Sequence, residues 1–266
     1  MTRPFRFAVT ALPVPQLGDW AAYARSVEDD GFDALLLPEN YPMPDGMTSA
    51  ALALGATSRI EVATFVLASP LHDPRHVAWQ AHSLGITSGG RFRFGIGTGR
   101  PDVAGDTAAL GVPFGTGPER LARVAETLDA LTALDGAGHT PVLIAAGGPK
   151  ALALARERAD TVALATPPDT TDERLAALTA PLRDRVELAC SVFAVNGLAP
   201  DYVRQFIGTD LDALRAVDCP ALLDGSVDEI CETLIRRREE YGFSLIALAG
   251  HTVAAMRPVV ERLAGA

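Results

Sequence analysis

The hydrophobic positions of this chain alternate between two periods. Residues 5–12 read as a first strand. Trp20, Ala24 and Val27 follow at helical spacing, and Phe32-Asp-Ala-Leu-Leu-Leu37 is a continuous apolar run of buried-strand type. An alanine-rich helix is predicted over 47–58 and a third strand, rich in β-branched residues, over 60–67. Asp73-Pro74 opens a helix with Val77 and Leu84 on its inner face, and Gly89-Gly90 ends it. A fourth strand carries Phe92 and Phe94 on one face. Pro118-Glu-Arg starts a helix whose Leu121, Val124, Leu128 and Leu131 recur at spacings of three and four, stopping near Gly136. Further strands are predicted at 141–146, 161–165, 186–195 and 244–249. The helices between and after them cover 151–159, a stretch capped by Thr170 with Glu173, a stretch from Ser226 with Glu229 to Tyr241, and 253–264. Residues 200–225 carry no regular pattern.

Eight apolar strands separated by helices, with no linker-like shift in composition, predict an α/β chain of the (β/α)8 TIM barrel class, one domain over 1–266. A doubly wound open sheet is the alternative. In a barrel the loops after the strands converge on one face. Here they begin at Ala11, Pro38, Ala68, Gly97, Gly147, Ala165, Asn196 and Gly250, so residues distant in sequence share one pocket.

Within this pattern the densest chemical signal is Gly95-Ile-Gly-Thr-Gly-Arg100, at the end of the fourth strand. Glycines strip side chains from the backbone there, which suits close approach to a phosphate or a flat ring; a plain glycine-rich turn is the other reading. A dinucleotide-binding Rossmann turn fits worse, because residues 101–117 read as a long loop where that fingerprint needs a helix. A second glycine pair, Gly147-Gly148, leads into the helix begun by Pro149-Lys150 and offers free N–H groups and a positive dipole end to an anion.

Composition narrows the partners. At 266 residues, 48% hydrophobic and a net charge of −10, the chain has material for a large core and no basic stripe, which argues against nucleic acid and anionic membrane as partners. All but one of its 23 basic residues are arginine, the exception being Lys150. Three cysteines, Cys190, Cys219 and Cys231, lack both pairing and metal-ligand spacing, so buried thiols, no metal site and a reducing cytoplasm are expected. The first residues carry no apolar stretch of signal-peptide type. Of the five histidines, His72, close after the third strand, is the best placed to face a pocket.

Several segments in order now carry a resemblance: Glu28-Asp-Asp-Gly-Phe-Asp33, Thr57-Ser-Arg-Ile60, Phe65-Val-Leu67 with Pro70 and Asp73-Pro74, Ser88-Gly-Gly-Arg91, Gly95-Ile-Gly-Thr-Gly99, Ala109-Leu-Gly-Val-Pro-Phe114 and Gly147-Gly-Pro149. They are similar to the successive motifs of the bacterial luciferase-like superfamily of flavin- and deazaflavin-dependent (β/α)8 barrels. The chain resembles most the members that use the deazaflavin coenzyme F(420). The resemblance implies a site at the second strand's end formed by Glu39 and Asn40, where the family has an acid and a histidine. It implies a non-proline cis peptide at Phe65-Val66, with Ala68 on the same face, backing the coenzyme ring. Thr98 and Gly99 match a backbone clamp, Arg100 stands where some sugar-phosphate dehydrogenases of the family have a catalytic glutamate, and Ala146, Gly147, Gly148, Pro149 and Lys150 match the phosphate-side loop.

Two departures shape the functional expectation. Neither the family's histidine nor its glutamate is in place, so sugar-phosphate dehydrogenation does not fit, and the connection 135–140 is short where relatives carry a pocket-covering insertion. The expected activity is hydride transfer from reduced coenzyme F(420) to a small organic substrate. An FMN-dependent monooxygenase using reduced flavin and oxygen, and a flavin-binding barrel without redox activity, are the alternatives. A homodimer is the expected assembly.

Overall fold

The computed structural model describes residues 3–11, 17–201, 203–204, 208 and 210–266. Leu12, the last residue of the predicted first strand, lies outside the described residues. The chain divides into two compact units, Pro13–Asp160 and Met1–Leu12 with Thr161–Ala266.

The chain opens with β1 (Arg6–Thr10), which belongs to the unit completed below. The unit over 13–160 then runs α1 (Leu17–Asp29), β2 (Ala34–Leu37), α2 (Gly46–Ala56), β3 (Glu61–Thr64), β4 (Leu67–Ala68), α3 (Pro74–Thr87), β5 (Phe92–Gly97), α4 (Val103–Leu110), α5 (Gly117–Asp135), β6 (Val142–Ala146) and α6 (Pro149–Arg158). Its strands are parallel and in register at their C-terminal ends: Leu37 lies beside Thr64, Ala68 beside Gly97, and Gly97 beside Ala145. Burial explains the continuous apolar runs, since Leu35, Leu36, Phe92, Phe94, Ile96, Leu143 and Ile144 are almost fully enclosed.

The unit completed by 161–266 runs β7 (Thr161–Leu164), α7 (Asp172–Thr179), β8 (Glu187–Val192), β9 (Ala194–Val195), α8 (Leu211–Arg215), β10 (Leu222–Leu223), α9 (Val227–Tyr241), β11 (Phe243–Ala249) and α10 (Val253–Leu263). Here β1 pairs with β11, β11 with β8 and β8 with β7, all parallel. Among the described residues, eight principal strands, each followed by helical structure, give the (β/α)8 barrel class that the hydrophobic pattern predicts.

Four details differ from the sequence reading. The third strand is interrupted: β3 ends at Thr64, Phe65-Val66 is a cis peptide, and β4 resumes the pairing with β5. The seventh strand is likewise divided, because Ala194 and Val195 leave β8 to pair with β10. That pairing anchors a small satellite core of Ala194, Ala199, Val203, Leu211, Leu214, Cys219 and Leu222 in the segment whose sequence has no periodic pattern. Residues 101–117 contain α4, ended by Gly111 in the left-handed region at φ 71°, where a plain loop is predicted. Finally, α7 is capped by Thr171 rather than Thr170; Thr171 Oγ1 accepts from Arg174 N.

Much of the motif set turns out to be scaffolding. Glu28 accepts hydrogen bonds from the backbone N–H groups of Ser58, Arg59 and Ile60 at 3.0, 2.6 and 2.8 Å and from the Ser58 hydroxyl, tying α1 to the entry of β3. Arg91 donates to the carbonyls of Leu54, Ile60 and Ser88 at 2.9, 3.3 and 3.2 Å. These contacts lie at the N-terminal ends of the strands, the face that serves stability in barrels. The three cysteines are buried free thiols, and burial pushes the Cys190 thiol up to about 12. No helix among the described residues is long and apolar enough to cross a membrane.

Candidate active site at the strand exits of residues 13–160

All of the site residues singled out in the sequence fall within the unit over 13–160, at or just beyond the C-terminal ends of its strands. At the exit of β2, Glu39 is largely enclosed. Its Oε2 accepts from Ala68 N at 2.7 Å, and its Oε1 lies 2.8 Å from Nε2 of His72. The carboxylate therefore fastens the second strand's exit to the end of β4 and to His72 beyond it. Asn40, next in sequence, is exposed, and its carbonyl accepts from Met43 N at 2.7 Å.

The exit of β3 is strapped on both sides. Phe65 N donates to Leu37 O at 2.6 Å, while the fully buried Thr64 hydroxyl both accepts from Gly95 N and donates to Gly95 O, each at 2.8 Å. Gly95 is required there: a Cβ would stand 1.7 Å from the Thr64 carbonyl oxygen. The cis peptide of Phe65-Val66 follows, as the resemblance implies, and a Cβ on Gly97 would lie 3.1 Å from a Val66 methyl.

Thr98 and Gly99 continue the side-chain-poor exit of β5. Gly99 adopts φ +78°, a conformation that favours glycine, and the position of its Cβ would be in contact with Ala68 and Pro70. Glu39, His72, Ala68, Thr98 and Gly99 thus form one connected cluster. Arg100 leaves it. Its guanidinium makes a bidentate pair with Asp102 at 3.1 and 2.8 Å, about half exposed, and holds the Asp102 carboxyl below its ordinary range.

At the next exit, Ala146 and Gly147 lead to Gly148, the N-cap of α6, which has an extended backbone and no side-chain cap. A Cβ at Gly148 would meet nothing within 4 Å. Pro149 occupies the first turn, and Lys150 is exposed with no ion pair among the described residues. Uncapped N–H groups beside a lysine suit an anionic group, and glycine-lined backbone in register with them suits a flat ring, so the residues present fit a phosphate-bearing or otherwise anionic flavin-type coenzyme.

Two residues that sequence reasoning missed hold this arrangement from behind. Arg120 Nε donates to Thr98 O at 2.8 Å, its Nη1 to Gly115 O at 2.8 Å, and its guanidinium lies over the Phe114 ring. Arg123 donates to the carbonyls of Ser69 and His72. They stand three apart, on one face of the first turns of α5, whose start is fixed by a capping box of Thr116 and Glu119. The only sequence signal was their spacing on that face, and it does not tell carbonyl-binding arginines from solvated ones.

Comparison with known proteins agrees with this architecture. An F(420)-dependent glucose-6-phosphate dehydrogenase of Beutenbergia cavernae is 30% identical over 168 residues, 52% of this chain and 49% of the relative, so the match spans about half of that protein's length. Among solved structures, an F(420)-dependent secondary alcohol dehydrogenase, in complex with an F(420)-acetone adduct, superposes with a TM-score of 0.77 at 13% identity, covering 98% of each chain. A coenzyme F(420)-dependent tetrahydromethanopterin reductase from Methanopyrus kandleri gives 0.71 at 17% identity over 98% of both chains. A monooxygenase from Streptomyces bottropensis gives 0.71 at 18% identity over 97% of this chain and 98% of that one. At such identities these likenesses establish the (β/α)8 fold. The model of the luciferase-like monooxygenase family matches residues 3–197, well over half of the chain, and the chain belongs to that family.

Proposed function

We propose that this protein is an oxidoreductase that binds coenzyme F(420) at the exits of β3, β5 and β6 and directs hydride from its reduced form to a small organic substrate. The observation that carries the reading is the pairing of a glycine-lined exit of β5 with the uncapped N-terminus of α6, one strand away and in register. In this reading Phe65, Val66 and Ala68 back the ring, Thr98 and Gly99 border it, and Ala146, Gly147, Gly148, Pro149 and Lys150 receive the anionic end. Bound coenzyme supplies the hydride. The protein supplies orientation, exclusion of water and a positioned polar group at Glu39, with Asn40 and Arg100 at the rim. The F(420)-dependent relatives support this choice of coenzyme. Sugar phosphates are not the substrate in this reading, because Asn40 and Arg100 stand in place of the acid–base pair that the resemblance implies for that chemistry.

A second reading, reduced FMN with oxygen as a monooxygenase, is favoured by monooxygenases among the structural neighbours. The two are separated by activity under nitrogen. We expect reduced F(420) to be oxidised in the presence of cyclohex-2-enone, an activated alkene, with no oxygen required; oxygen-dependent consumption of reduced FMN alone favours the second reading. Homodimerisation belongs to the same proposal. Trp79 and Ile86 on α3 are 59% and 66% exposed, unusually open for large apolar side chains, and a second copy is the simplest cover for them.

A further inference from the structure

The site contains one built acid–base pair, and its histidine is not at the position where the family motif has one. His72 follows β4 after a single 3-10 turn, Ser69–Leu71, and its ring is mostly enclosed, with 15% of the side chain accessible. Nε2 meets Glu39 Oε1 at 2.8 Å, and the other oxygen of the same carboxylate is occupied by Ala68 N at 2.7 Å. The backbone of His72 is fixed as well, since its carbonyl accepts from Arg123 and the next residue, Asp73, caps α3 through Arg75 N and His76 N. Among the described residues Nδ1 has no hydrogen-bond partner. A carboxylate on one ring nitrogen fixes the tautomer and the ring orientation, and leaves the opposite nitrogen to exchange a proton with whatever lies beside it. Asn40, by contrast, bears an amide, which carries no exchangeable proton of useful acidity.

We propose that His72 is the proton-carrying residue of this site, working through Nδ1, and that Glu39 is its positioning residue. The proposal rests on the function proposed above. In the reduction of an activated double bond, hydride from the reduced deazaflavin adds to one end and the π electrons move to the other. That end takes the proton from Nδ1 of the protonated ring, and the neutral Nε2–H ring is left, still bonded to Glu39. The reverse direction takes a proton from the substrate onto Nδ1. Atoms and charge balance with one proton per hydride; solvent water returns the proton to Nδ1 before the next turnover, and no oxidant or reductant beyond the coenzyme is needed.

The test uses full-length protein labelled with nitrogen-15 in its histidines. Ring nitrogens are read by NMR before and after saturation with oxidised F(420), and the His72 signals are assigned with His72→Gln. The expected result is that the neutral ring of His72 in the parent is the Nε2–H tautomer, with Nδ1 the site that takes up the second proton, together with a shift of its Nδ1 resonance on saturation and F(420) affinity in His72→Gln within about threefold of the parent. Under nitrogen, oxidation of reduced F(420) by cyclohex-2-enone should fall by about 100-fold or more in His72→Gln and in part return with added imidazole. In Glu39→Gln it should fall while F(420) still binds. An Nδ1–H tautomer, an Nδ1 signal unmoved at saturation, or a parent-like rate in His72→Gln overturns the assignment. Should the variant not fold, or the enone not be turned over, the parent's tautomer and Nδ1 shift decide, with Glu39→Gln giving the assignment. A parent that binds neither F(420) nor FMN overturns the proposed function and this inference together, whereas a parent that binds F(420) with His72 unmoved overturns this inference alone.

Discussion

The glycines of the site divide into two kinds, and the division makes them unequal as probes. Gly148 has an ordinary extended backbone and open space where a side chain would go, so Gly148→Val should fold normally. The branched side chain would occupy the region assigned to the coenzyme's anionic end. We expect loss of F(420) binding, measured by fluorescence titration, with an unchanged circular dichroism spectrum; unaltered affinity would remove α6 from the site. Gly99 sits at φ +78°, so Gly99→Val should lose stability as well as affinity and cannot separate the two. Arg100 is a residue whose position changes its meaning. Its exposed pair with Asp102 contributes no more than about 1 kcal/mol, so Arg100→Gln should melt with the parent. A loss of turnover on the order of tenfold, about 1.4 kcal/mol in barrier, is then expected only from contact with substrate or coenzyme. Parent-like turnover would leave Arg100 as a loop residue held by Asp102.

At the scale of elements, the same sequence motifs separate into scaffold and site. Glu28 belongs to the scaffold. Burial pushes its carboxyl up, but hydrogen bonds from Ile60, Arg59 and Ser58 more than reverse this and lower it from an ordinary 4.5 to about 2. A carboxyl lowered in the folded state adds stability in full above its unfolded value, and that contribution disappears as pH falls toward the folded one. Glu28→Gln should therefore destabilise by roughly 1–3 kcal/mol at neutral pH. The urea midpoints of parent and variant should converge between pH 4.5 and about 2. A constant gap across that range would contradict the role given to this carboxylate. What the sequence made legible follows the same line. Apolar runs marked β2, β5 and β6, and Asp73 and Ser226 with Glu229 marked helix starts, because burial and capping act over a few residues. The break after Thr64 was not legible from periodicity, since an apolar run looks alike whether paired throughout or interrupted; only the resemblance placed it. Helix α4 was hidden by the glycines and prolines around it. The bond between Glu39 and His72, and those of Arg120 to Thr98 and of Arg123 to Ser69, join residues 22 to 54 positions apart, a separation that local patterns do not encode.

For the whole molecule, the sequence reading of one domain over 1–266 predicts a single cooperative transition in scanning calorimetry, and two resolved transitions would contradict it. The central claim is that this chain holds F(420) to do chemistry. Family membership and fold are established, and neither determines which coenzyme the strand exits receive. The geometry favours an anionic, flat ligand, and the direct measurement is to identify what the protein keeps. Purified from a host that makes both coenzymes, it should retain F(420), identified by mass spectrometry and absorbance of the released compound, and should bind added F(420) more tightly than FMN. Retention of FMN with weak F(420) binding, or affinity for neither, would contradict the account.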